Sequence, residues 1–268
     1  MFFRDKKTIE KFYLSKDEEL TPIILSQMMN KHQQQKEILE DWRNYYEGYQ
    51  SILVNKSYDD KNKPCNKLII NFCKNIVNSY LGYMAAPNCI TYQSDNDIEP
   101  LLNILKYNDS ATEDIDFLRD ALVYGQANEL MYIDHNADAR FTVISPLESF
   151  GVYDNCLGGE LLYFVRWYQA NQWDLSDKYY VDVYGDTTVK HYYMLGLNGT
   201  LEFIKEEPHY FAQCPANIFE IENRESIFNC IMTLQDAYNA ILSDQNDDID
   251  SFTTAIMKFT GDFDMEDL

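Results

Sequence analysis

Residues 225–259 read ESIFNCIMTLQDAYNAILSDQNDDIDSFTTAIMKF, from Glu225 to Phe259, with neither glycine nor proline anywhere in the run. Ile227, Ile231, Leu234, Tyr238, Ile241, Ile249, Phe252 and Ile256 recur in it at helical steps, with Gln245 in the same row. This spacing predicts one long helix. A straight helix of that length would span roughly 50 Å at about 1.5 Å per residue. Its second half, Asp244-Gln245-Asn246-Asp247-Asp248-Ile249-Asp250, reads as too acidic for a buried element. We therefore expect a rod that protrudes from the body of its subunit.

Upstream the pattern has period two. Glu129–Asp134 and Arg140–Ser145 flank His135-Asn136-Ala137-Asp138 and read as a hairpin. Strands are expected at Leu161–Gln169, Tyr179–Tyr184, Thr188–Leu195 and Leu201–Lys205, separated by Gly158-Gly159, Gly185-Asp186 and Asn198-Gly199. Strands so closely spaced suggest an antiparallel sheet. The N-terminal half is helical by the same reading. Thr21 supplies a cap oxygen, Pro22 takes the first helical position, and Gly48 stops a helix that ends near Glu47. Its apolar contacts are expected at Ile24, Met28, Ile38, Trp42, Tyr45 and Tyr46. Helices follow through Ile76, Tyr80 and Met84, over Asp97–Tyr107, and over Thr112–Tyr124 closing on Gly125. The fold class is α+β: a helical N-terminal half, an antiparallel sheet in the middle and a long C-terminal helix. Residues 1–224 form one expected unit and residues 225–268 the other.

Acids outnumber bases 44 to 22 in the 268 residues, for a net charge of −22. Residues 1–50 hold 9 acids and 8 bases, so 35 acids and 14 bases remain for residues 51–268. Such a surface repels phosphate over about 8–10 Å. That argues against a module built to grip nucleic acid and against docking on an anionic membrane. No apolar run approaches the roughly 20 residues of a spanning helix. Met1 to Lys7 lacks the features of a signal peptide, and the six cysteines form no Cys-x-x-Cys pair. They read as reduced thiols.

Chemistry-bearing motifs are missing. No phosphate-cradling glycine loop and no Gly-x-Ser-x-Gly elbow occurs. The four histidines lie far apart, and His191 in its alternating strand reads as structural. Asp244-x-Asn246-x-Asp248 starts like a calcium loop, but Ile249 stands where glycine is needed and Ala255 where glutamate is needed. Arg166 reads as a salt-bridged strand residue. No catalytic residue, metal or cofactor is assigned. Residue by residue, this is an acidic, non-enzymatic α+β protein.

A set of signposts, in order, resembles the portal proteins of tailed bacteriophages, specifically those of long-tailed phages of Gram-positive hosts. They are Tyr45-Tyr46-Glu47-Gly48, then Asn66-Lys67-Leu68-Ile69-Ile70-Asn71 with Ile76-Val77 and Gly82-Tyr83, then Gly125-Gln126-Ala127, Ile144-Ser145-Pro146 and Val152-Tyr153-Asp154. Arg166-Trp167-Tyr168, Cys214-Pro215, Asn223 and Leu234-Gln235-Asp236-Ala237-Tyr238-Asn239 complete the order, with Ser243-Asp244, Asp248-Ile249 and Phe252. Ala85-Ala86-Pro87 stands where the family usually has Gly-x-Pro. The resemblance implies that residues 1–224 are wing-like and that the helix from 225 is the first stem helix. The clip, second stem helix, tunnel loop and crown would follow Leu268, so a shortened chain is expected.

What the resemblance implies about function is structural. Portal subunits form a ring, usually of twelve, at one capsid vertex. The ring passes double-stranded DNA without gripping it and meets the terminase packaging motor, capsid and scaffold proteins, and the head-completion or tail connector proteins. The location is the virion, with no membrane. On that reading Asp244, Asp247, Asp248 and Asp250 are candidates to face the DNA channel. Ile227, Ile231, Leu234, Tyr238, Ile241, Ile249, Phe252 and Ile256 are candidates to pack between neighbouring stems. Another phage or mobile-element head-assembly protein, or a carboxylate-dependent hydrolase, stays open as an alternative.

Overall fold

A computed structural model describes residues 9–58, 63–85, 89–169, 173, 177–197 and 199–253. The chain opens with β1 (Phe12–Leu14), α1 (Pro22–Glu47), α2 (Ile52–Asn55), α3 (Phe72–Met84), α4 (Glu99–Tyr107) and α5 (Ser110–Tyr124). Eight strands follow: β2 (Gln126–Ile133), β3 (Ala139–Ile144), β4 (Ser149–Asp154), β5 (Leu161–Tyr168), β6 (Lys178–Tyr184), β7 (Thr188–Leu195), β8 (Glu202–Pro208) and β9 (Ala216–Glu220). A short 3-10 turn at Asn229–Ile231 leads into α6 (Met232–Thr253). The class is α+β, with helices first, sheets in the middle and a long helix last.

Local chemistry sets the ends of α1. The Thr21 hydroxyl accepts from the Ile24 N–H at 3.4 Å, and Gly48 closes the helix at φ +97°, a backbone region that favours glycine. Its inward face differs from expectation by one residue at three positions. Leu25, Met29 and Leu39 are buried, while Ile24, Met28 and Ile38 are only partly covered. Adjacent apolar pairs at 24/25, 28/29 and 38/39 make the periodicity ambiguous; the large sheet selects Leu25 and Met29, and the cluster with α3 and α5 selects Leu39.

The strands make two sheets instead of the one antiparallel sheet expected. Six strands run in the order β1-β4-β5-β6-β7-β8, and three in the order β3-β2-β9. β1 joins β4 in parallel, and the other pairings are antiparallel. The sequence reading missed β1, β4 and β9. β4 shows no alternation because it is covered on both faces, which erases the period-two signal. Gly151 in β4 allows the approach: a Cβ there would stand 2.5 Å from Ile218 Cδ1 of β9 and 2.8 Å from Leu161 Cδ1 of β5.

Three apolar clusters hold these layers. Phe150, Val165, Trp167 and Val181 of the large sheet pack on Leu25 and Met29. Leu39, Trp42 and Tyr45 of α1 join Val77 of α3 and Leu122 of α5 in a second cluster, with Phe228 and Met232 at the start of the last helix. Leu130, Ile144, Phe164 and Cys214 form a third, smaller one. His32 lies beside the first of these. Its Nε2–H donates to the Pro146 carbonyl at 3.0 Å, and its Nδ1 accepts from Trp167 Nε1 at 3.2 Å. Burial pushes the His32 imidazole down to about 4, so it is neutral at pH 7.

Candidate assembly interface along the C-terminal helix

α6 carries two unlike faces. The inward face is polar: Gln235, Asn239, Ser243 and Asp247 follow Met232 and are all buried. They sit four residues apart and meet the extended stretch from Asn66 to Phe72. The Phe72 N–H donates to Gln235 Oε1 at 3.2 Å, and the Ile70 N–H to Asn239 Oδ1 at 3.2 Å. The Leu68 N–H donates to Ser243 Oγ at 2.9 Å, and the Asn66 N–H to Asp247 Oδ1 at 2.7 Å. Geometry explains the match. Four helical residues rise about 6.0 Å, and two extended residues advance about 6.6 Å. Every second amide of the segment therefore finds one turn of the helix. A backbone that pairs with no strand is satisfied by side chains instead.

Asp247 anchors the far end of this ladder. Lys56 Nζ lies 2.6 Å from Asp247 Oδ2 and 2.9 Å from Asp244 Oδ1. Burial works to raise the Asp247 carboxyl, but Lys56 and the Asn66 donors outweigh it and hold it below the usual carboxylate range. Likewise burial works to lower Lys56, and its two carboxylates overcome that and raise it. The stretch reads as too acidic for a buried element, yet Asp247 within it is only 6% exposed. A paired cation makes the burial tolerable. Asp250 also turns toward the subunit, accepting from Asn66 Nδ2 at 2.7 Å. Asp244 is exposed but paired with Lys56, and Asp248 is exposed.

The opposite face is apolar and open. Leu234 is 69% exposed, Tyr238 39%, Ile241 56%, Ile249 62% and Phe252 81%. Tyr238 shares a ring contact with Phe72 at 5.5 Å between centroids. Two of the other stripe candidates stand elsewhere. Ile227 precedes the helix, and its N–H donates to the Leu122 carbonyl at 3.1 Å. Ile231 lies in the 3-10 turn, and both residues pack on the second cluster. The helix starts at Met232 instead of 225: Phe228 and Met232 are both fully buried in the second cluster, and a 3-10 turn at Asn229–Ile231 lies between them. Ile256 and the expected helix end near Phe259 lie outside the described residues.

The root of α6 is fixed by polar contacts. Tyr45 Oη and Ser51 Oγ both donate to Asp236 Oδ1, at 2.6 and 2.7 Å. Trp42 Nε1 donates to Asn229 Oδ1 at 3.0 Å. The sequence reading missed the ladder. Its only signal was four hydrogen-bonding residues spaced by four inside an otherwise amphipathic run.

The earlier single candidates take structural places. His191 Nδ1 lies 2.6 Å from Asp182 Oδ1 across β6 and β7. The Arg166 guanidinium stacks over Tyr168, 4.3 Å from the ring centre. Among the described residues no group of three or more His, Cys, Asp or Glu could hold a metal ion, and no helix is long and apolar enough to cross a membrane.

Comparison with known proteins agrees with this architecture. A search of curated proteins returns no match. The family described as phage portal protein, SPP1 Gp6-like, matches residues 25–268, nearly the whole chain and all of α1 through α6 except the first residues of α1. The chain belongs to the phage portal protein family.

Proposed function

We propose that this protein is a subunit of the portal ring at the capsid vertex, with α6 standing beside the same helix of neighbouring copies around a channel for DNA packaging and ejection. The observation that carries the reading is the open stripe Leu234, Tyr238, Ile241, Ile249 and Phe252, opposite the face that the subunit itself covers. Full burial of each such side chain is worth roughly 1.5–3 kcal/mol. Covering what remains exposed of five would contribute on the order of 5 kcal/mol per contact. That favours association despite the net charge of −22 per chain.

The channel lining follows from the same helix. A duplex that must slide is not held by Lys or Arg, since each phosphate contact adds a counterion-release contribution to binding. Asp247 and Asp250 are engaged with the subunit's own Lys56 and Asn66. Asp244 is paired with Lys56 as well, so the channel role falls to Asp248, the exposed member of the four that neither Lys56 nor Asn66 holds. The terminase motor, the capsid and scaffold proteins, and the head-completion or tail connector proteins would dock on other faces of the ring.

Electron micrographs of the complete protein test the assembly. Rings with a central hole are expected, and a strict monomer at high concentration by light scattering would overturn it. Rings carrying Asp248→Asn test the lining: altered packaging or ejection is expected, and wild-type behaviour in both would remove Asp248 from the channel.

A further inference from the structure

Copies of a strongly acidic chain meet most readily where neither surface presents an unmatched charge. A groove of about 440 Å³ lies between α2 and the flank of α6. It is lined by Ile52, Asn55, Lys56, Ala237, Ala240 and Asp244, among others. Ala237 and Ala240 leave the space, and Ile52 gives it an apolar wall. Its charged groups hold partners within the subunit: Lys56 pairs with Asp244 and Asp247, and Asp236 accepts from Tyr45 and Ser51. An apolar visitor entering here meets carboxylates that already hold hydrogen-bond or ion-pair partners. The volume falls in the span of roughly 300–1,000 Å³ typical of binding clefts.

The identity of the visitor rests on the ring reading above. A closed ring uses two different faces of each subunit, because its contacts are head-to-tail. The open stripe of α6 is one face and needs a complement. Rotation about a ring axis leaves height unchanged, so with α6 along that axis the complement must be level with the stripe. The groove meets α6 at residues 233–244, and the upper stripe spans Leu234, Tyr238 and Ile241. The two are level and lie about 100° apart around the helix. Within one subunit the stripe therefore points away from its own groove. The geometry points to a head-to-tail contact in which Leu234, Tyr238 and Ile241 of one copy seat in the α2–α6 groove of the next.

Cross-linking tests this. The exposed Cys65, Cys89, Cys156 and Cys230 are first changed to serine. Asn55→Cys in the groove and Ile241→Cys in the stripe, both exposed positions, are then made as separate chains and co-expressed. A short bis-maleimide should give covalent dimers in the co-expressed sample, at least tenfold above either variant alone. Rings in micrographs without that cross-link would overturn the groove as receptor while leaving the ring standing. Efficient self-linking of the Ile241→Cys variant alone would mean a two-fold contact and would overturn the head-to-tail pairing. Absence of rings in every sample would remove the ring reading, and this contact with it.

Discussion

Asn239 is the sharpest place to test the ladder that fixes α6. It is fully buried, accepts from the Ile70 N–H at 3.2 Å and from Gln235 Nε2 at 3.0 Å, and donates to Gln50 Oε1. Asn239→Ala leaves the Ile70 amide and the Gln50 carbonyl without partners. Gln235 keeps its bond to the Ile70 carbonyl at 2.6 Å. Each orphaned group costs about 1–3 kcal/mol. Ile70 is 40% exposed, so water can reach its amide and offset part of the loss. A total of about 2–4 kcal/mol is expected. Urea unfolding followed by circular dichroism would read this as a lower midpoint with an unchanged slope. Amide exchange at Ile70 should accelerate by about 30-fold or more, since about 1.4 kcal/mol is tenfold. Leu234→Ala on the open face should shift the midpoint of the unassembled subunit by less than about 0.5 kcal/mol. If Asn239→Ala moved stability no further than that control, and Ile70 exchanged as before, the ladder would not be what holds the segment.

Other expectations concern pH and backbone. The Asp247 carboxyl is held below its ordinary value in the folded chain. Its contribution is therefore full above the unfolded value of about 3.9 and is lost as pH falls through the folded one; Asp247→Asn should flatten the stability profile below about pH 4, and an unaltered acid limb would count against the Lys56 pairing. His32, pushed down to about 4 by burial, behaves as a base that must be neutral in the fold. Between about pH 6.5 and 4 the unfolded chain binds its proton first, so stability falls by on the order of 3 kcal/mol; His32→Gln should remove that slope, as thermal melts across the range would show. At Gly125 the backbone has φ +75°, and a Cβ would lie 2.4 Å from the Arg224 carbonyl carbon. Gly125→Ala should cost more than about 2 kcal/mol, with a wild-type melting temperature as the contrary result.

Much of the architecture was legible in local chemistry. Thr21-Pro22 and Gly48 bracket α1 because capping and left-handed closure are short-range effects. β5, β6 and β7 appeared because Val165 and Trp167, Val181 and Val183, and Tyr192 and Met194 alternate toward the first cluster, a period-two signal in the sequence. β4, buried on both sides, wrote none. The apolar row Leu234 to Phe252 was visible by spacing, yet the same spacing ran on through Ile231 and Ile227, which the core claims.

Sequence alone determined the elements whose causes lie within a turn or two of the chain: caps, stops, periodicity and net charge. Tertiary structure decided what Gln235, Asn239, Ser243 and Asp247 do. Their partners, the amides of residues 66 to 72, are remote along the chain. Only folding brings a helical rise of about 6.0 Å beside an extended repeat of about 6.6 Å. It also decided that Asp247 lies under Lys56 while Asp248, one residue on, faces out. A step of about 100° around a helix separates neighbours that sequence makes look alike.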